Sequence, residues 1–225
     1  IEKALGDQDA TVRGIAAAAI TLGEVNGEKA LALIEKAFAD HHFPRAYIID
    51  NFFVHTLKKG GGEKAIALLE KCLANQNARM RVEAAGALGY VGGEKAIALL
   101  EKALADQDAR MRCAAVRALG EVGGEKAVAL LEKAAAERNG DFRDTFFCAL
   151  ANAGGEKAIA LLEAALADQD VKVRLSAASA LWMVDGEERL ALLEKALGDQ
   201  DATVRQQAFS GISRRLHGEK ARDLF

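Results

Sequence analysis

The sequence is poor in the residues that break helices, staple loops or stack on bases. Its 225 residues hold one proline, three cysteines and one tryptophan, and aromatic residues make up only 5%. A single proline, Pro44, permits an almost wholly helical chain. Cys72, Cys113 and Cys148 lie far apart with no C-x-x-C pair, which argues against a disulfide framework and for a reducing, cytoplasmic setting. Basic residues do not outnumber acidic ones: 30 Lys and Arg stand against 33 Asp and Glu. No basic run exists, so the electrostatic footprint of nucleic-acid binding is missing. No apolar run approaches the ~18 residues of a membrane span, and no signal peptide opens the sequence.

Catalytic signatures are missing as well. There is no G-x-x-x-x-G-K-[ST] phosphate loop and no G-x-S-x-G elbow. Cys113 and Cys148 have no histidine at an obvious offset to activate them. His41 and His42 sit together at a turn and His55 lies a helix away, a spacing that does not supply tetrahedral zinc ligands. The sequence therefore predicts no catalytic residue, no metal and no cofactor.

What the chain has in abundance is self-similarity. The stretch from Gly93 to Gly123 recurs with substitutions along the whole chain. Its Gly-Glu-Lys-Ala start appears at Gly27, Gly62, Gly93, Gly124 and Gly155, then as Gly-Glu-Glu-Arg at Gly186 and again as Gly-Glu-Lys-Ala at Gly218. Within one unit, Ala96, Ile97, Leu100, Ala103 and Leu104 fall on one face of a first helix, with Glu94, Lys95, Glu101 and Lys102 turned elsewhere. Asp106-Gln107-Asp108 reads as a turn that caps a second helix. That helix carries Met111, Ala115, Ala118, Leu119 and Val122 on one face and ends at Gly123-Gly124. One such pair exposes an apolar face that only a stacked neighbour covers. The chain opens mid-repeat and stops soon after a repeat start, which predicts a segment of a longer array.

An acidic or amide residue precedes an arginine by six positions in repeat after repeat. The pairs are Asp7 and Arg13, Asn75 and Arg81, Asp106 and Arg112, Glu137 and Arg143, Asp168 and Arg174, and Asp199 and Arg205. On this pattern the chain resembles HEAT repeats, in the short form of phycobilisome-lyase-type proteins. The resemblance covers nearly all 225 residues. It implies an all-α, right-handed α-solenoid of about six to seven antiparallel helix pairs. It also implies a hydrogen-bonded ladder between repeats, with Asp106, Arg112, Asp168, Arg174, Asp199 and Arg205 as rungs.

Against so regular a background the departures carry information. Where other repeats read ADQDA, the second reads Asp40-His41-His42-Phe43-Pro44-Arg45 and continues through Tyr47, Ile48, Ile49, Phe52 and Phe53. In the fifth repeat Phe146 and Phe147 replace Ala115 and Val116 of the fourth. Both departures predict bulkier cores with wider helix pairs, and Trp182, standing for a glycine, is expected to pack inside.

In proteins of this resemblance the second helices line the concave side. The first, second, fifth and ninth positions after the arginine are then expected to face the groove. They include Tyr47, Asp50, Glu83, Tyr90, Arg117, Glu121, Asp144 and Asn152, and they vary most between repeats. Aromatic and arginine anchors suit a protein interface, and the acids repel phosphate. The expected function is a non-catalytic scaffold that binds a protein or peptide segment, or other domains of a longer chain. The resemblance also implies an alternative, a bilin lyase or isomerase acting on phycobiliproteins, for which no residue argues independently. Deoxyhypusine-type hydroxylases use paired His-Glu motifs, and this chain has no His-Glu dipeptide.

Overall fold

The structure, a computed structural model, describes residues 62–137 and 142–211. Among these residues there is no strand. Helices α1 (Gly62–Leu73) and α2 (Ala78–Val91) form one pair, and α3 (Gly93–Leu104) and α4 (Ala109–Val122) the next. Then come α5 (Gly124–Glu137) with α6 (Arg143–Ala153), and α7 (Gly155–Leu166) with α8 (Val171–Ala180). A 3-10 turn at Leu181–Met183 follows α8, and α9 (Glu188–Leu197) pairs with α10, residues 202–211. The chain divides into two compact units, Ile1–Ala114 and Ala115–Phe225, and the division falls inside α4.

The turn between paired helices follows from two side chains. Asp106 Oδ1 accepts the amide of Asp108 at 2.7 Å, and Asp108 Oδ1 accepts the amide of Arg110 at 2.9 Å. The first bond closes a local turn and the second satisfies one of the amides that every helix start leaves exposed. The same two bonds recur at Asn75 and Asn77, at Asp168 and Asp170, and at Asp199 and Asp201.

Burial repeats with the sequence. Ala65, Ala96, Ala127 and Ala158 of the first helices are fully buried, as are Leu69, Leu100, Leu131 and Leu162 one turn later. The second helices bury Leu88, Leu119, Leu150 and Leu181. Each such leucine contributes about 1.5–3 kcal/mol of burial. Ile97, Leu104 and Val122 are only half-buried, whereas Leu99, outside the expected stripe, is buried. Exposed ion pairs join successive first helices: Lys95 to Glu63 at 2.9 Å in the first unit, and Lys157 to Glu132 at 2.8 Å and Lys195 to Glu163 at 3.2 Å in the second. Such pairs account for the Glu-Lys monotony of these helices while adding little stability.

One pair of second helices approaches closely. A methyl group placed on Gly120 of α4 would lie 2.7 Å from both the Cα and the carbonyl oxygen of Ala149 in α6. Thirty-one residues on, the same pair of slots holds Ala151 and Ala180, both buried. A further step gives Trp182 and Gly211, where a methyl on Gly211 would meet the Trp182 Cβ at 3.5 Å. The expectation that Trp182 packs inside is corrected here. It is 39% exposed on the 3-10 turn, because this slot lies against the next second helix and has no room for an indole. The phenylalanines of the fifth repeat do enter the core: Phe142 and Phe147 are buried, and Phe146 meets Phe147 edge to face at 5.1 Å. The bulky second repeat, residues 39–61, lies outside the described residues.

These contacts give physical content to the different register positions of Gly86 and Gly120. A methyl on Gly86 of α2 would touch nothing within 4 Å, so Gly86→Ala should stabilise by about 0.5–1 kcal/mol through helix propensity. Gly120→Ala must push backbone apart and should destabilise by about 1–3 kcal/mol. Thermal melting of the two variants checks the contrast; equal shifts would remove the close approach.

Candidate functional site

Two sets of side chains stand out once the helices are in place. The first holds the turns. Arg112 is buried, and its Nη1 donates to the carbonyls of Asp106 at 3.0 Å and Gln107 at 2.9 Å. Arg81 does the same with Asn75 and Gln76, Arg174 with Asp168 and Gln169, and Arg205 with Asp199 and Gln200. The arginine therefore bonds the backbone of its own turn, while the aspartate six residues earlier bonds an amide of that turn. Links between repeats are fewer. Arg174 Nε and Nη2 donate to the two carboxylate oxygens of Asp199 in the next turn at 2.8 and 3.3 Å. Arg143 reaches Asp170 at 4.0 Å. Among the described residues no ion pair joins Arg81 to Asp106. Among the described residues the arginine–carbonyl fork recurs at four turns, and Arg174 with Asp199 forms a close arginine–carboxylate rung.

Electrostatics agree with the geometry at the Arg174–Asp199 rung. Burial opposes the charge of Asp199, but hydrogen bonds from Arg174 and from the Asp201 amide, with the attraction of Arg174, hold its carboxyl below the usual range. The hydrogen bond to Asp199 raises Arg174 in turn.

The second set lies on the outer faces of the second helices. In the first unit Tyr90 is 44% exposed, and Glu83 is half-buried with its carboxylate 3.6 Å from Arg79 one turn away. In the second unit Arg117, Glu121, Asp144 and Asn152 are all exposed. Tyr47 and Asp50 lie outside the described residues. The second position after the arginine does not generally face outward: Ala114 and Ser176 there are buried. The reason is the ~100° step of a helix, which turns that position toward a neighbouring second helix while the first, fifth and ninth share one face.

A profile of HEAT repeats matches residues 66–147 and 143–213. The chain belongs to the HEAT-repeat family. Human deoxyhypusine hydroxylase, solved with glycerol, is similar at 22% identity with a TM-score of 0.43, over 96% of this chain and 94% of that one. An engineered protein is similar at 20% identity with a TM-score of 0.37, over 95% of each chain. Another is similar at 22% with a TM-score of 0.40, over 92% of this chain and 65% of that one. No curated protein matches significantly. None of these likenesses bears on an activity.

Chemically, the HEAT second-helix face offers charge, hydroxyl and amide groups. Burial, helped by the negative charge of Asp144, pushes the Cys148 thiol up and depletes its thiolate. Among the described residues no three His, Cys, Asp or Glu converge to hold a metal ion, and no helix is long and apolar enough to cross a membrane. Sequence reasoning named Trp182 and the Gly-Glu-Glu-Arg start but did not single out two departures where the sixth repeat meets the seventh. Asp185 replaces the left-handed glycine of the other junctions, Gly92, Gly123 and Gly154, and Arg189 fills the slot of Ala65, Ala96, Ala127 and Ala158. Both departures are visible in the letters; their effect on the junction is not.

Two outcomes check the arginine chemistry. Arg112→Ala removes two donors from turn carbonyls and should destabilise by about 1–3 kcal/mol, whereas Lys102→Ala on an exposed face should barely move melting. The Asp199 carboxyl is lowered in the folded chain, so its contribution is whole above the ordinary aspartate value of about 3.9 and is lost as pH falls through the lowered one. Asp199→Asn should therefore be less stable than the parent at neutral pH, with the difference shrinking in acid. A difference independent of pH would mean that the carboxylate charge contributes nothing.

Proposed function

We propose that this HEAT-repeat protein is a non-catalytic scaffold whose second-helix faces, on the concave side, hold a protein or peptide segment. One observation carries the reading. Most buried slots repeat with little change, and the exposed first helices repeat glutamate and lysine, while the outer second-helix positions differ between most repeats. The first position after the arginine runs Val82, Cys113, Asp144, Leu175 and Gln206. The fifth runs Gly86, Arg117, Cys148, Ser179 and Ser210, and the ninth Tyr90, Glu121, Asn152 and Met183. Stacking does not require identity there, so those positions are free to carry recognition. Tyr90 and Arg117 are the kinds of residue that anchor protein interfaces. Glu121 and Asp144 disfavour a phosphate backbone and favour a partner that carries basic residues.

The test separates binding from folding. Peptides selected from a displayed library on the immobilised protein are measured against Tyr90→Ala, Arg117→Ala and Asp144→Ala combined. We expect affinity to fall about tenfold or more with melting nearly unchanged, since exposed substitutions cost little stability. Unchanged affinity there, with loss on replacing Lys71, Glu101 and Lys102, would move the interface to the first helices and overturn the assignment.

A further inference from the structure

The junction between the fifth and sixth repeats differs from the one before it. At the fourth-to-fifth junction a methyl on Gly123 would lie 3.1 Å from the carbonyl oxygen of Ala153, so adjacent turns touch. A methyl on Gly154, one repeat later, would meet nothing within 4 Å. The gap opens into a groove of about 700 Å³ between the start of α7 and the segment joining α8 to α9.

Three departures from the repeat lie beside the groove. Trp182 stands in the slot of Gly120, and α8 gives way there to a 3-10 turn. Asp185 replaces the left-handed glycine, and Val184 leaves the turn extended at φ −67° and ψ 129°. Arg189 occupies the buried alanine slot, and α9 begins at Glu188 with ten residues where α7 has twelve. A guanidinium does not fit where a methyl is fully enclosed, and α9 starts two residues later than the register of α7 would place it.

The lining has a definite chemistry. Its apolar part includes Ala151, Ile159, Ala160 and Val184, and its charged part is Glu156, Glu163, Asp185 and Glu188, with no Lys, Arg or His. Glu163 already pairs with Lys195, which stands outside the lining. The carboxylates do not converge as a metal site would, so one compact cation is a poor match. The complement is an extended chain with several positive charges on apolar stems, the shape of arginine and lysine side chains.

We infer that this groove docks a basic peptide segment whose side-chain stems lie over Ile159 and Val184 and whose charges face Glu156, Asp185 and Glu188. Asn152 borders both this groove and the second-helix face, but the groove is a separate surface and does not depend on the scaffold reading. The probe is a short fluorescein-labelled peptide alternating arginine with leucine, beside a control with glutamate for arginine, read by anisotropy on the full chain. We expect the basic peptide alone to bind, with affinity falling as salt rises. Glu156→Gln with Glu188→Gln should weaken it roughly tenfold. Ala160→Trp, which fills the groove and leaves its charge intact, should abolish binding, with helix content and melting confirming that the variants fold. If both variants bind like the parent, the groove assignment is wrong. If only the combined Glu121→Gln and Asp144→Gln variant loses the peptide, basic segments dock on the second-helix face instead. If the acidic control binds equally, charge complementarity is not the basis.

Discussion

Four of the described turns between paired helices are each held by one guanidinium, from Arg81, Arg112, Arg174 and Arg205. The last carbonyls of a first helix and its turn have no partner within the helix, and water would satisfy them only if the turn stayed open. The arginine closes the turn by placing a single Nη1 between two successive carbonyls, as at Asp106 and Gln107 or at Asp168 and Gln169. Its planar fork leaves Nε and Nη2 available, and Arg174 uses them on Asp199 of the next turn. A lysine has no such division of donors. The fork ties a helix pair to its own turn whether or not a neighbouring carboxylate is bonded, as at Arg81, which holds Asn75 and Gln76.

Much of this was legible before any coordinates. The 31-residue period, the capping aspartates, the glycine stops and the buried leucines are local rules written in side-chain chemistry, and they repeat without long-range help. What the letters did not carry was distance between helices. The register places Gly120 on a helix face but does not say that the backbone of Ala149 lies close against it. Nor did a count of six residues reveal that an arginine would choose carbonyls over the aspartate at the same offset. The fate of Trp182 was hidden for the same reason. Its slot is defined by a helix thirty residues away, and a local reading sees a large apolar residue with no cause to be exposed.

The slot pairs Gly120 with Ala149, Ala151 with Ala180, and Trp182 with Gly211 show how such an array absorbs change. Where one partner grows, the facing residue is small, and the stack continues. Enlarging both would separate the second helices, and the loss would fall on every contact of that interface, because interiors at this density have little slack. A departure tolerated in a second helix can therefore surface elsewhere. In the sixth repeat it surfaces at the junction, as a shortened α8, an extended Val184 and a groove.

A strictly periodic surface also recognises poorly. If every repeat offered the same side chains, a bound segment would find an equivalent seat one repeat along, and its register would be set by nothing. Specificity is a difference between competing arrangements, so it must come from positions that break the period without breaking the stack. Exposed second-helix residues satisfy that condition individually: Arg117 and Cys148 occupy the same position in successive repeats and offer opposite chemistry. The groove beside Gly154 satisfies it as well, since its lining includes Asp185, where the other junctions carry Gly92, Gly123 and Gly154. Regularity in the turns and most of the core fixes where the surface is, and irregularity on the outer faces and beside the groove fixes what can be told apart on it.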